Sequence, residues 1–153
     1  MKKLLTLIAL FALPLLVSAQ IENPVKWNFS SKKINETTYE LHMTATIDHG
    51  WHLYAQEAGE GPVATAFKFS KNPLVANSGK VKEDGKLLKA FDKNFNSELK
   101  YYADKVDFVQ TVVVKGKAAT KVKGSVEFMT CDDHQCLPPK ELEFAIAVGG
   151  AAK

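Results

Sequence analysis

Thr120-Lys121-Val122-Lys123-Gly124-Ser125-Val126-Glu127-Phe128, followed after eleven residues by Lys140-Glu141-Leu142-Glu143-Phe144-Ala145-Ile146-Ala147-Val148, is the stretch that decides the fold. In the first run Val122, Val126 and Phe128 fall on one side and Lys121, Lys123 and Glu127 on the other. In the second, Leu142, Phe144, Ile146 and Val148 alternate against Glu141 and Glu143. A period of two is the mark of a half-buried strand, so the two runs predict an antiparallel hairpin. Between them lie Met129-Thr130-Cys131-Asp132-Asp133-His134-Gln135-Cys136-Leu137-Pro138-Pro139, which hold the chain's two cysteines at the hairpin tip.

The alternation extends outward. Tyr39, Leu41, Met43 and Ile47 share one face of a segment whose other face is Glu40, His42, Thr44 and Thr46, with His42 read as a solvated strand residue. Shorter strand candidates are Val25 to Phe29, Trp51 to Tyr54, Ala66 to Phe69, Gly79 to Glu83, Leu99 to Tyr102 and Val106 to Val114. Turn-forming pieces such as Gly59-Glu60-Gly61-Pro62 and Lys71-Asn72-Pro73 separate them. Many short strands with this punctuation predict an all-β antiparallel sandwich. No segment keeps helical spacing for long, and only the loop from Ala90 to Ser97 is expected to hold a helical turn.

Residues 1–19 read as a signal peptide: Met1-Lys2-Lys3 is basic, Leu4 to Val17 is apolar, and Val17-Ser18-Ala19 ends in small residues before Gln20. The apolar stretch is short for a membrane span and contains Pro14. Residues 20–153 are then one exported domain. Losing Lys2 and Lys3 from the 20 basic residues leaves 18 against 17 acidic ones, so charge gives no indication of nucleic acid as a partner. No later stretch approaches membrane-spanning length. A domain of this size buries an adequate core without cross-links. Closing a loop of about six residues stabilises by only roughly 2 kcal/mol in the chain-entropy model.

Cysteine arithmetic leaves three functions open. In an exported chain a cysteine pair is most often a structural disulfide, which would make this a plain binding sandwich. A second reading is copper or zinc bound by Cys131, His134 and Cys136, with His49 or His52 adding a nitrogen. The third is thiol–disulfide exchange, which needs a thiolate to attack a disulfide sulfur in line and therefore expects both sulfurs to be reachable. Asp132 and Asp133 beside Cys131 should raise its thiol pKa, so the site would depend on a partner's thiol or on a local base, for which His134, His52 and Tyr54 are candidates. Trp51 and Leu53 are read as core residues on the opposite strand face from His52 and Tyr54. There is no phosphate-binding Gly-rich loop, no Gly-x-Ser-x-Gly elbow and no Cys-x-x-Cys motif.

Three pieces resemble a known family. Gly50-Trp51-His52-Leu53-Tyr54, the segment Phe91 to Tyr102, and Thr130 to Pro139 with its Cys136-Leu137-Pro138-Pro139 ending are similar to the N-terminal periplasmic domain of the transmembrane thiol-disulfide reductase DsbD. The resemblance implies an immunoglobulin-like sandwich that relays electrons in the periplasm as a protein-disulfide reductase, without a cofactor or metal. It implies that Cys136 is the cysteine that exchanges with a partner and Cys131 the resolving one. Phe95 would be the cap phenylalanine, with His52 and Tyr54 beside the sulfurs and Asp92 as the nearby carboxylate. Full-length relatives continue into membrane and thioredoxin-like domains. The implied partners are therefore a separate thioredoxin-like electron donor or membrane reductase, and periplasmic disulfide-containing acceptors.

Overall fold

A computed structural model of the protein describes residues 22–93, 95–116 and 118–150; the signal-peptide reading and the start at Gln20 fall outside them. The eleven elements are all strands: β1 (Val25–Lys33), β2 (Thr38–Ile47), β3 (His52–Tyr54), β4 (Ala66–Phe69), β5 (Val75–Gly85), β6 (Leu88–Asp92), β7 (Ser97–Tyr102), β8 (Lys105–Val114), β9 (Thr120–Phe128), β10 (Thr130–Cys131) and β11 (Lys140–Val148). They form three antiparallel sheets in the orders β1-β2-β8-β5, β11-β9-β4 and β10-β3-β7-β6. The all-β antiparallel sandwich read from the alternation is the observed architecture.

The first two sheets make the sandwich. The inward face of β2, namely Tyr39, Leu41, Met43, Ala45 and Ile47, is buried against Val122, Val126 and Phe128 of β9 and Phe144, Ile146 and Val148 of β11. Trp27 fills the space between the layers, with ring centroids 6.1 Å from Phe67, 5.7 Å from Phe108 and 5.4 Å from Phe128. Fully burying one large apolar side chain contributes roughly 1.5–3 kcal/mol. A few such residues therefore outweigh a short-loop disulfide, and the core carries the fold.

The β9–β11 hairpin forms as read, with Phe128 opposite Lys140 and Thr120 opposite Val148. One of its apolar residues departs: Leu142 is 40% exposed. It sits on the edge strand of its sheet, where the flank opens into a crevice lined by Val25, Trp27 and Phe128. His42 also departs. It is half-buried and its Nδ1 lies 2.6 Å from Asp107, which also accepts a hydrogen bond from Thr44. A carboxylate on the neighbouring strand β8 gives His42 a fixed partner where β2 alone offered only solvent.

Among the described residues from Ala90 to Ser97 the expected helical turn is not found. Leu88–Asp92 is a strand that pairs with β7, Ala90 opposite Leu99 and Asp92 opposite Ser97, so the segment is a hairpin. Asn96 in its turn adopts φ 52°, a conformation asparagine tolerates better than most residues. In β5 the register shifts between Ser78 and Lys82. The buried side chain of Gln110 donates there to the carbonyls of Ser78 and Thr111 at 3.1 and 2.7 Å, satisfying polar groups that the irregularity would leave bare.

Candidate functional site

The third sheet positions the site. Directly opposed residues in an antiparallel sheet point to the same face. Leu53 opposite Tyr102 therefore looks into the main core, while Tyr54 opposite Tyr101, and His52 opposite Cys131, look the other way. Leu53 and Tyr102 belong to the sandwich core; Tyr54, Leu99, Cys131 and Ala58 form a second buried cluster, joined by partly buried Ala64, Phe95, Tyr101, Met129 and Cys136. Trp51 packs against the main core from its margin. The three-residue strand β3 is thus a wall between two apolar compartments.

Cys131 and Cys136 are joined in a disulfide. Cys131 is completely buried, whereas Cys136 is partly exposed. This corrects the expectation that both sulfurs are reachable: β10 pairs with β3 and draws Cys131 under the sheet, leaving Cys136 on the loop side. The loop is closed by backbone bonds from Asp132 N to Gln135 O and from Leu137 N to Thr130 O, both 2.9 Å. Asp132 Oδ1 accepts from the amides of His134 and Gln135 at 2.7 Å each. These two donors hold the Asp132 carboxyl below its usual range. Its charge is engaged in shaping the loop.

Tyr54 is the centre of the polar network. Its buried hydroxyl lies 2.9 Å from Asp92 Oδ2, 3.2 Å from Cys131 Sγ and 3.2 Å from His52 Nε2. A phenol has one proton, and against a disulfide sulfur the carboxylate is the stronger acceptor, so Tyr54 donates to Asp92. Burial, and then the Asp92 hydrogen bond and charge, push the Tyr54 phenol well above its ordinary pKa. His52 is only 15% exposed and its ring lies 4.7 Å from that of Tyr101. Burial depresses its pKa, outweighing the opposing pull of Asp92, Asp133 and Asp132. The ring is therefore neutral near pH 7, and its Nε2 is 3.9 Å from Asp92 Oδ2.

Phe95 sits in the turn between β6 and β7, its ring edge-on to Tyr54 at 6.1 Å. Cys131, Cys136, His52, Tyr54, Asp92 and Phe95 are therefore gathered into one place. His134 is exposed on the cysteine loop. His49 is exposed in the turn before β3. Among the described residues no group of three or more His, Cys, Asp or Glu side chains is arranged to hold a metal ion. The sequence reading missed Tyr101 and Leu99 as site residues. Both carried a signal, since the alternation in Ser97–Tyr102 puts them on one face.

The chain is an antiparallel sandwich domain with a short-loop disulfide on an added sheet, one of its cysteines buried among aromatic residues. Residues 18–147 match the family model of the N-terminal region of the thiol:disulfide interchange protein DsbD, and the chain belongs to that family. Membership places it among thiol–disulfide interchange modules in general. Two solved structures share the fold. The reduced N-terminal domain of DsbD from Neisseria meningitidis aligns with a TM-score of 0.55 at 16% identity, over 83% of this chain and 87% of that one. The N-terminal periplasmic domain of ScsB from Proteus mirabilis aligns with a TM-score of 0.53 at 13% identity, over 82% of this chain and 45% of that one. No curated protein sequence matches the chain. Among the described residues no helix is long and apolar enough to cross a membrane.

Proposed function

We propose that the protein is an exported periplasmic relay, cleaved after Ala19, that receives two electrons from a thioredoxin-like donor or membrane reductase and passes them to disulfide-containing acceptors. The observation that supports this reading is the asymmetry of the pair: Cys136 is partly exposed, and Cys131 lies buried 3.2 Å from the Tyr54 hydroxyl. In-line attack needs one open sulfur and a stabilised leaving sulfur.

In the loading step a donor thiolate attacks Cys136 Sγ, the Cys131–Cys136 bond breaks, and its electron pair leaves on Cys131. Tyr54, kept protonated by its surroundings, turns its hydrogen bond from Asp92 toward that thiolate. The donor's second thiol then resolves the mixed disulfide, leaving a dithiol here and a disulfide on the donor. In the delivery step Cys136 attacks the acceptor's disulfide, and Cys131 closes the ring and releases the acceptor's thiols. Phe95 shields the sulfurs between encounters, while neutral His52 holds the Tyr54 oxygen in place.

The test is electron transfer from reduced thioredoxin, used as a surrogate donor. Cys136→Ser should abolish transfer, and Cys131→Ser, mixed instead with a disulfide-containing acceptor, should accumulate a mixed disulfide through Cys136 because no second thiol remains to release the acceptor. Undiminished transfer by Cys136→Ser would overturn the reading. The reduction potential offers a second check: a value near or above about −270 mV fits a relay, and one well below about −300 mV fits a structural cross-link.

A further inference from the structure

The segment between β3 and β4 is a wall fastened to β7. Ala55 N donates to Lys100 O at 3.1 Å and Lys100 N to Ala58 O at 2.8 Å, while Val63 N lies 3.5 Å from Met129 Sδ. Two glycines of this wall face the β6–β7 hairpin. A Cβ on Gly59 would stand 2.9 Å from Glu98 O and 2.9 Å from Leu99 Cδ2. A Cβ on Gly61 would stand 2.6 Å from Phe95 Cδ1 and 2.9 Å from its Cβ and Cγ. Gly61 also has φ +117°, a region open to glycine and strained for other residues. The ring of Phe95 therefore rests on bare backbone that any side chain would fill.

We propose that Gly61 is a positioning residue for the exchange reaction: it forms the seat that holds Phe95 closed over the cysteine pair, and the depth of that seat sets how often the disulfide is open to attack. This rests on the reading of Phe95 as the cap. The wall is bonded at both ends, whereas Phe95 stands in a turn between two strands, so opening moves the phenylalanine away from a fixed surface. Overfilling the seat by one methyl group adds a steric cost to the closed arrangement alone, whereas the backbone strain of a side chain at φ +117° is common to both and does not shift the balance between them.

The experiment measures the rate at which a small phosphine reduces the intact disulfide, followed by thiol counting. The phosphine attacks a cysteine sulfur, the S–S bond breaks, and water converts the phosphonium to phosphine oxide, releasing two thiols. No protein partner is involved, so the result is independent of whether Cys136 serves the proposed electron transfer. Gly61→Ala should raise the rate about fivefold or more, as overpacking of this kind costs at least ~1 kcal/mol. Phe95→Ala should raise it likewise, and Gly61→Ala with Phe95→Ala together should be no faster than Phe95→Ala alone. Gly79→Ala is the control, since Gly79 has φ +73° and a Cβ there would meet nothing within 4 Å, and it should leave the rate unchanged. An unchanged rate in Gly61→Ala, an increase that persists undiminished on the Phe95→Ala background, or an equal increase in Gly79→Ala would overturn the proposal. Should Gly61→Ala alone fail to fold, Phe95→Leu, which fits the same seat less closely without altering the Gly61 backbone, takes its place and should raise the rate; an unchanged rate there would overturn the proposal.

Discussion

Tyr54 shows how one side chain joins structure to chemistry. Its backbone register puts the ring against Cys131, and its hydroxyl meets Asp92, His52 and Sγ. Tyr54→Phe removes the hydroxyl on which these groups converge. We expect a stability loss of about 1–3 kcal/mol from the buried partners left unsatisfied, together with slower loading of the cysteine pair. Urea unfolding and stopped-flow reduction read the two effects. The phenols of Tyr54 and Tyr102 are both raised above the ordinary value of 10, each by burial first and then by a carboxylate, Asp92 or Glu83. A raised folded pKa contributes stability that is present below the unfolded value and lost as pH rises past it. Above about pH 10 the unfolded chain therefore gains on the folded one, and absorbance at 295 nm should show these two phenols ionising only as the protein unfolds. Alternation in the sequence was enough to place His52 and Tyr54 together. The burial of Cys131 was not legible, because it comes from the pairing of β10 with β3, a contact between residues nearly eighty positions apart.

At the scale of elements, the hairpin β9–β11 was legible because both strands alternate cleanly and are the right length to pair. The β6 strand was not. Leu88-Lys89-Ala90-Phe91-Asp92 has no dry face of its own, with Phe91 the most exposed large apolar residue among those described, and it is a strand because β7 offers it a hydrogen-bonded edge. Gly124 in β9 illustrates a constraint invisible in the pattern. A Cβ there would collide with the Lys68 carbonyl and come 2.7 Å from Phe144 Cζ, so Phe144 folds across the strand where a side chain is missing. Gly124→Ala should destabilise the protein by about 1–3 kcal/mol, measured by thermal or urea unfolding, with no change in the intrinsic reactivity of the disulfide.

For the whole molecule, reduction of the disulfide should cost only about 2 kcal/mol, because the closed loop is short and the sandwich core lies elsewhere. The reduced protein should keep its fold by circular dichroism and unfold in a single step at modestly lower urea. Acid adds a second effect. The folded pKa of His52 lies below the unfolded value of 6.5, so as pH falls through that value the unfolded chain takes up the proton first and stability declines. Unfolding free energy compared at pH 7.5 and 5.5 should fall more in the native protein than in His52→Gln, by up to about 1.4 kcal/mol in all, since only the part of the interval below 6.5 contributes. The Asp132 contribution has the same sign, because its amide donors hold the carboxyl low: it is present above 3.8 and is lost only in stronger acid.

The partition made by β3 has a consequence for recognition. Leu53 and Tyr54 are neighbours in sequence yet serve compartments that share no buried residue. In the proposed exchange, a partner that displaced Phe95 would disturb the smaller one and leave the larger intact. The free energy of docking would then go into a local rearrangement, so affinity for successive partners could be tuned without loss of scaffold durability.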